Sequence, residues 1–324
     1  MTSTPRFYHE SVCVTGAGGS IGSEICRQLL AERVRKLVLV SLTEAGLYNI
    51  ERELRPIANA QDCELVPILG SVLNPEVSRR SVQDTGVVIH AAAHKHVPIC
   101  ERNLLEAVAN NVFGTYVLLR EAARAGVEQF IQISTDKAVR PASVMGATKR
   151  LCEKLMQSPA LVAPHAITAA VVRFGNVMDS AGSVFPLWRE QLARGGPITL
   201  TDKRCERYFM TIPEAVMLVM KTAAFREAGT FVLDMGKPKN MYDLALELSQ
   251  GKVEIVETGL RPGEKLTEEL DYGGAIVATG DARIRRIIEP ASGAITASHM
   301  QCMYENYQAH CDDRVGFWLQ ELTK

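Results

Sequence analysis

The chain has 324 residues, 36 Lys and Arg against 37 Asp and Glu, a net charge of −1, and 47% hydrophobic residues. That is the balance of an ordinary globular protein with ample chain for a core, and it argues against nucleic acid or an anionic membrane as a partner. No run approaches the roughly 18 consecutive apolar residues of a spanning helix, and Met1-Thr2-Ser3-Thr4-Pro5-Arg6 does not lead into the apolar stretch of a signal peptide, so the sequence reads as cytosolic.

Short β-branched runs alternate with longer helical patterns. Strands are expected at residues 12–15, 37–40, 65–69, 87–92, 130–134, 169–174 and 231–235. Several are apolar throughout, as strands buried on both faces must be. Between the first two, Ile21, Ile25 and Leu29 repeat at helical spacing on one face. A second helix is expected from Leu104 to Ala125 with Gly126 as its stop, and a third at residues 213–225. This β-α-β-α order predicts an α/β fold, a doubly wound parallel sheet with helices on both faces.

After Phe174 the alternation loosens. Residues 182–186 and 195–197 are loop-rich, and Arg261-Pro262-Gly263 is a turn signal. The expected division is a nucleotide-binding domain at residues 1–175, to which 212–252 return, and a smaller discontinuous lobe at 176–211 and 253–324. Eight cysteines stand singly, at positions 13, 26, 63, 100, 152, 205, 302 and 311, with no Cys-x-x-Cys pair. They read as reduced, packing thiols, and no metal site is expected.

Thr15-Gly16-Ala17-Gly18-Gly19-Ser20-Ile21-Gly22 lies between the first strand and its helix. Gly16 suits a tight turn, Gly19 lets backbone approach a pyrophosphate, and Gly22 lets helix and strand pack closely. The helix N-terminus then faces the anion. This is a Rossmann-type dinucleotide site in its required context. An acid that would bind ribose hydroxyls is missing after the second strand, where Ser41 stands, and Ser71 replaces another after the third. No Arg follows Val40 directly, so NAD and NADP both remain open.

The fifth strand ends in Ser134-Thr135-Asp136-Lys137, at the edge where such sheets place ligands. Met145 and Lys149, four apart on the following helix, share a face. Together they are similar to the Thr…Tyr-x-x-x-Lys arrangement of short-chain dehydrogenases, with Met in the Tyr position.

Longer motifs carry a specific resemblance. Ser134-Thr135-Asp136-Lys137-Ala138-Val139-Arg140-Pro141, Val144-Met145-Gly146-Ala147-Thr148-Lys149-Arg150, Arg173-Phe174-Gly175-Asn176-Val177 and Gly259-Leu260-Arg261-Pro262-Gly263-Glu264-Lys265 resemble the UDP-N-acetylglucosamine 4,6-dehydratases of polysaccharide and glycan biosynthesis. So do His90-Ala91-Ala92-Ala93-His94-Lys95-His96-Val97-Pro98 and Arg207-Tyr208-Phe209-Met210-Thr211-Ile212-Pro213. The Met at 145 resembles a branch that usually carries an N-terminal membrane region, and the chain reads as a soluble form of it.

The resemblance implies a UDP-sugar substrate, a tightly held NAD or NADP, and a homo-oligomer. Hydride leaves the sugar at C4, water is lost across C5 and C6, and the hydride returns at C6. Asp136 is implied as the acid and Lys137 as the base. Lys137 must then be neutral, which burial and neighbouring positive charge favour. Met145 cannot accept the C4 hydroxyl proton. Asp136 as carboxylate is the economical acceptor, and His94 is an outside candidate. Cofactor contacts are expected at Gly16, Gly19, Ser20, Ile21, Gly22, Ser41, Ser71, Val72, Ala91, Ala92 and Lys149. Substrate contacts are expected at Lys95, Asn176, Arg207, Arg261 and Glu264. Asp179 departs from the family's usual Gly. A 4-epimerase on the same fold, or a silent NAD(P)-binding regulator, are the alternatives.

Overall fold

A computed structural model of the chain describes residues 6–158, 161, 167–289 and 293–324. Residues 1–5 of the N-terminal segment read above lie outside the described residues. The first half alternates without exception: β1 (Ser11–Thr15), α1 (Ser20–Ala31), β2 (Lys36–Ser41), α2 (Glu44–Ala60), β3 (Glu64–Leu69), α3 (Pro75–Val82) and β4 (Val87–His90). Then come α4 (Val97–Arg102), α5 (Leu104–Val108), α6 (Gly114–Ala125), β5 (Gln129–Thr135), α7 (Val144–Gln157) and β6 (Thr168–Phe174). The middle holds β7 (Asn176–Val177), α8 (Val184–Ala193), β8 (Ile198–Leu200), β9 (Glu206–Arg207), β10 (Phe209–Met210), α9 (Ile212–Ala224) and β11 (Gly229–Leu233). The chain continues through β12 (Lys239–Asn240), α10 (Met241–Ser249), β13 (Ile255–Glu257), β14 (Ala275–Ala278), β15 (Ile284–Ile288), α11 (Ala297–Gln308) and α12 (Asp312–Thr323).

The main sheet runs β3-β2-β1-β4-β5-β6-β11-β15-β14. From β3 to β11 every pairing is parallel; β15 and β14 are added antiparallel. Every residue of β1 and β2 is buried, because helices cover both faces. One face is filled by Ile25 and Leu29 of α1, Leu47, Ile50 and Leu54 of α2, and Val216 and Val219 of α9. The other is filled by Leu118 and Leu119 of α6 with Leu151 and Leu155 of α7. Strand order reverses between β1 and β4, and a ligand crevice opens beyond the carboxyl ends of the strands at such a point.

The expected strands are present with two shifts: β4 stops at His90, freeing Ala91 and Ala92 from the sheet, and β11 is Gly229–Leu233. The long helix from Leu104 is broken by a π-turn over Ala109–Phe113, and it does end at Gly126, in left-handed conformation at φ 76°. The lobe boundaries differ from those expected. Residues 275–288 join the main sheet because Ile284 and Ile287 bury into its core. Residues 297–323 pack beside α7 through Met300, Met303, Val315 and Leu319. Conversely, α10 belongs to the smaller lobe: Met241 and Ala245 pack with Ile198 and Leu200 around the fully buried Trp188. Six cysteines are buried and all eight are free; Cys302 and Cys311 are only half-covered.

A charge cluster ties the late strands to the centre. Arg173 of β6 donates to both oxygens of Glu153 on α7, at 2.7 and 2.5 Å. Glu289, just past β15, lies 2.6 Å from Arg150 and 2.5 Å from Arg173. Glu153 and Arg173 are wholly inaccessible. Burial opposes charge on Glu153, but Arg173 and Arg150 outweigh it and hold the carboxyl below its ordinary value. Glu153→Ala would leave a buried guanidinium uncompensated and should cost about 3–5 kcal/mol in urea unfolding; a loss below about 1 kcal/mol would show that the cluster does not hold these elements.

Candidate active site

The glycine turn has the shape a phosphate cradle needs. Gly16 sits at φ +70°, and a Cβ there would lie 2.8 Å from the Ala92 nitrogen. A Cβ on Gly22 would lie 2.1 Å from the Gly16 carbonyl oxygen. Helix α1 opens at Ser20 behind Gly19 with no side chain capping its free N–H groups and no acid in its first turn. These residues fit the pyrophosphate of a dinucleotide. Ile21 packs on the core edge, and the Ser20 hydroxyl accepts from the Ala181 N–H at 3.0 Å, bringing the loop after β7 over the cradle. Gly18 makes a further close approach that the motif did not announce: its Cβ would meet Gly46 of α2 at 2.8 Å.

Ser41 is buried and turned inward, accepting from the Thr43 N–H at 3.2 Å. The Ser71 hydroxyl accepts from the Leu73 N–H at 3.2 Å, and Val72 is buried beside Gly114. Both serines shape the loops after β2 and β3. Ala92 donates to Thr15 Oγ1 at 3.3 Å. Thr15 in turn lies 2.6 Å from His90 Nδ1, and Thr115 lies 2.9 Å from His90 Nε2 while donating to the Asn111 carbonyl at 2.6 Å. The direction of these bonds assigns His90 as the neutral Nε2–H tautomer. Burial above all, with Lys149 adding to it, pushes its pKa down to about 3.

The Thr135-Asp136-Lys137 turn follows β5. Asp136 is wholly buried; its Oδ1 accepts from the Thr135 hydroxyl at 2.8 Å and from Lys137 Nζ at 3.0 Å, and its Oδ2 has no partner. Lys137 Nζ also donates to Asn176 Oδ1 at 3.3 Å and lies 3.4 Å from Glu268 Oε1. Burial disfavours its charge, yet Asp136 and Glu268 more than offset this and raise its pKa above the ordinary value. Burial favours the neutral Lys137 that was expected, while Asp136 and Glu268 beside it favour the ammonium. Glu268 escaped the sequence reading. The only signal was its position four residues past Glu264, and its place depends on a tertiary clamp.

Arg207 makes that clamp. Its guanidinium donates to the carbonyls of Leu266 at 2.8 Å and Lys265 at 2.7 Å, and to Glu264 Oε1 at 3.3 Å. Lys265 Nζ bonds the Val139 carbonyl at 2.8 Å. Glu264 also accepts from Thr201 at 2.9 Å and from the Arg261 N–H at 3.3 Å. Arg207 and Glu264, expected to touch substrate, both take part in fixing residues 264–268. Arg261 is exposed and unpaired among the described residues.

Lys95 is likewise at the surface, its Nζ 3.4 Å from Ser180 Oγ. Lys149 Nζ donates to the Ile133 carbonyl at 2.6 Å, and burial lowers its pKa. Met145 is buried with Cys100 and Ala107, turned into an apolar cluster and away from any proton transfer. His94 is held by Asn111, which bonds both its N–H and its carbonyl. Asp179 adopts φ +60°, the conformation a glycine takes without strain, and pairs with Arg189.

A Rossmann-like parallel sheet with a glycine cradle after β1 and a Thr-Asp-Lys turn after β5 defines the class of fold. Residues 12–286 match the family described as "Polysaccharide biosynthesis protein", and the chain belongs to it. Capsular polysaccharide biosynthesis protein CapD of Staphylococcus aureus is 46% identical over 272 residues, 81% of this chain and 45% of that protein. The chain thus spans about half the length of that relative. UDP-N-acetylglucosamine 4,6-dehydratase (inverting) of Campylobacter jejuni is 30% identical over 265 residues, 81% of this chain and 77% of that one. The X-ray structure of Pen from Bacillus thuringiensis superposes with a TM-score of 0.77 at 32% identity, covering 82% and 84% of the two chains. No described helix is long and apolar enough to cross a membrane.

The His90 network has a pH signature. Its neutral form is fully favoured above the ordinary value of 6.5, and the folded state resists protonation down to about 3. The unfolded chain therefore binds the extra proton between those limits, and stability falls with pH by up to about 1.4 kcal/mol per unit. His90→Asn should remove this slope, so that urea unfolding at pH 7.5 and pH 5 shows a smaller acid loss than in wild type. Equal losses would contradict a neutral buried His90.

Proposed function

We propose that the chain is a nucleotide-sugar 4,6-dehydratase that acts on UDP-N-acetylglucosamine. The observation that carries this reading is the Thr135–Asp136–Lys137 cluster at the carboxyl end of β5, with Met145 turned away. An epimerase has no need of a buried acid and amine for elimination, and on this fold it normally relies on the tyrosine that Met145 replaces.

A bound NAD or NADP would supply a hydride acceptor for C4 and the hydride donor for C6. The Gly16–Gly22 turn and the α1 N-terminus would hold its pyrophosphate, and the free N–H groups of Lys149 its ribose. The residues of the chain manage the protons. Thr135 already donates to Asp136 Oδ1. It can take the proton of the sugar O4 while passing its own to the carboxylate, which does what a tyrosinate would otherwise do. Asp136, now an acid, protonates the C6 hydroxyl as it leaves. The 4-ketone acidifies the C5 proton, which Lys137 removes.

Incubation with UDP-N-acetylglucosamine and NAD⁺ or NADP⁺ should yield a product lighter by one water; an unchanged mass with an inverted C4 would identify an epimerase, and no reaction a silent regulator. In single turnover, Asp136→Asn should suppress the reduced-cofactor absorbance roughly a hundredfold or more. Normal C4 oxidation with only water loss blocked would remove Asp136 from the first step.

A further inference from the structure

The geometry around Lys137 leaves one step without an agent. Its Nζ faces three acceptors, Asp136 Oδ1, Asn176 Oδ1 and Glu268 Oε1, at 3.0, 3.3 and 3.4 Å. Two hydrogen bonds and an ion pair suit an ammonium, which has no lone pair for a C5 proton. Lys137 must first lose a proton, and Asp136 cannot take it, because by then it holds the proton from O4. Glu268 is the other carboxylate in reach. Its side chain is 3% exposed. Its polar contact among the described residues is Lys137 alone, and its Oε2 is buried with no partner. That unpartnered oxygen faces no donor that would compete for an incoming proton.

We propose that Glu268 is the proton acceptor that frees Lys137 to act as the C5 base; this rests on the dehydratase reading. The proton moves from Lys137 Nζ to the Glu268 carboxylate, giving a neutral amine and a carboxylic acid. The amine then takes the C5 proton, and the C6–O bond breaks as Asp136 donates to the departing hydroxyl. After hydride returns to C6, the Lys137 ammonium reprotonates C5, and Glu268 gives its proton back to the amine. All groups end as they began, and one water has been lost. Burial, with Asp136 adding to it against the pull of Lys137, lifts the Glu268 carboxyl above its ordinary value, so it receives this proton more readily than an exposed glutamate would. Arg207 holds the segment that carries Glu268 through the carbonyls of Lys265 and Leu266.

Glu268→Gln keeps the shape and an oxygen that accepts from Lys137 but cannot take a proton. With UDP-N-acetylglucosamine in D₂O, C4 oxidation in single turnover should change less than about threefold, while deuterium uptake at C5 and water loss fall roughly a hundredfold. The residual rate should rise about tenfold per pH unit from pH 7 to 9, as solvent must now deprotonate Lys137, whereas wild type stays flat. Glu268→Asp should recover at least a tenth of the wild-type exchange and its flat profile. The inference is overturned if E268Q exchanges C5 at the wild-type rate, if it slows oxidation and exchange equally with an unchanged pH profile, or if E268D is no faster than E268Q. A wild type that removes no water from this substrate overturns the dehydratase reading itself; a wild type that does, matched by E268Q, overturns the role of Glu268 alone.

Discussion

Four buried charges anchor the molecule. Arg173 on β6, Glu153 and Arg150 on α7 and Glu289 beyond β15 come from three separate parts of the chain and pair with one another largely out of water. Each is costly to bury alone, so the elements that carry them are held in one arrangement. The Tyr272 ring covers Arg150, whose guanidinium carbon lies 4.8 Å from its centroid, and the Tyr272 hydroxyl donates to the Ala138 carbonyl. Ser134 donates to Glu153 at 2.6 Å. Residues 134 and 138, which flank Thr135-Asp136-Lys137, are therefore both pinned to this cluster. Asp136 and Lys137 project from a fixed base, as proton transfer over short distances requires.

A second constraint is the charge balance around Lys137. Asp136 and Glu268 place two carboxylates against one ammonium inside a largely covered site. The excess is one acid more than the amine can neutralise, which is the composition needed to store a proton between steps of a reaction. The near-zero net charge of the whole chain is compatible with this, because the chemistry depends on a few buried groups. Met145, packed with Cys100, offers no proton acceptor, which in the proposed chemistry leaves the Thr135–Asp136 pair as the route for the O4 proton.

Much of this was legible in the amino-acid order. The all-apolar runs of β1, β2 and β4 could only be central parallel strands, and the glycines at 16 and 22 stand where the structure leaves no room for a Cβ. Asp136 and Lys137 were visible because they end a strand. What stayed hidden depends on tertiary packing. Ile284-Arg285-Arg286-Ile287 does not read as a strand, because Arg285 and Arg286 interrupt the apolar run while Ile284 and Ile287 bury. Glu268 adds to Asp136 in favouring charge on Lys137, and Glu268 is placed by a segment that Arg207 clamps from elsewhere in the chain. Arg207 and Glu264 were singled out as charged residues in a long motif, but composition does not say whether a guanidinium meets a phosphate or a backbone carbonyl.

In the proposed reaction the site couples C4 oxidation to elimination and returns the same hydrogen to C6. UDP-N-acetylglucosamine carrying deuterium at C4 tests it most directly. NMR of the product should show that deuterium in the C6 methyl group, with the sugar now a 4-ketone. Deuterium still at C4 after turnover, in either epimer, would contradict the account.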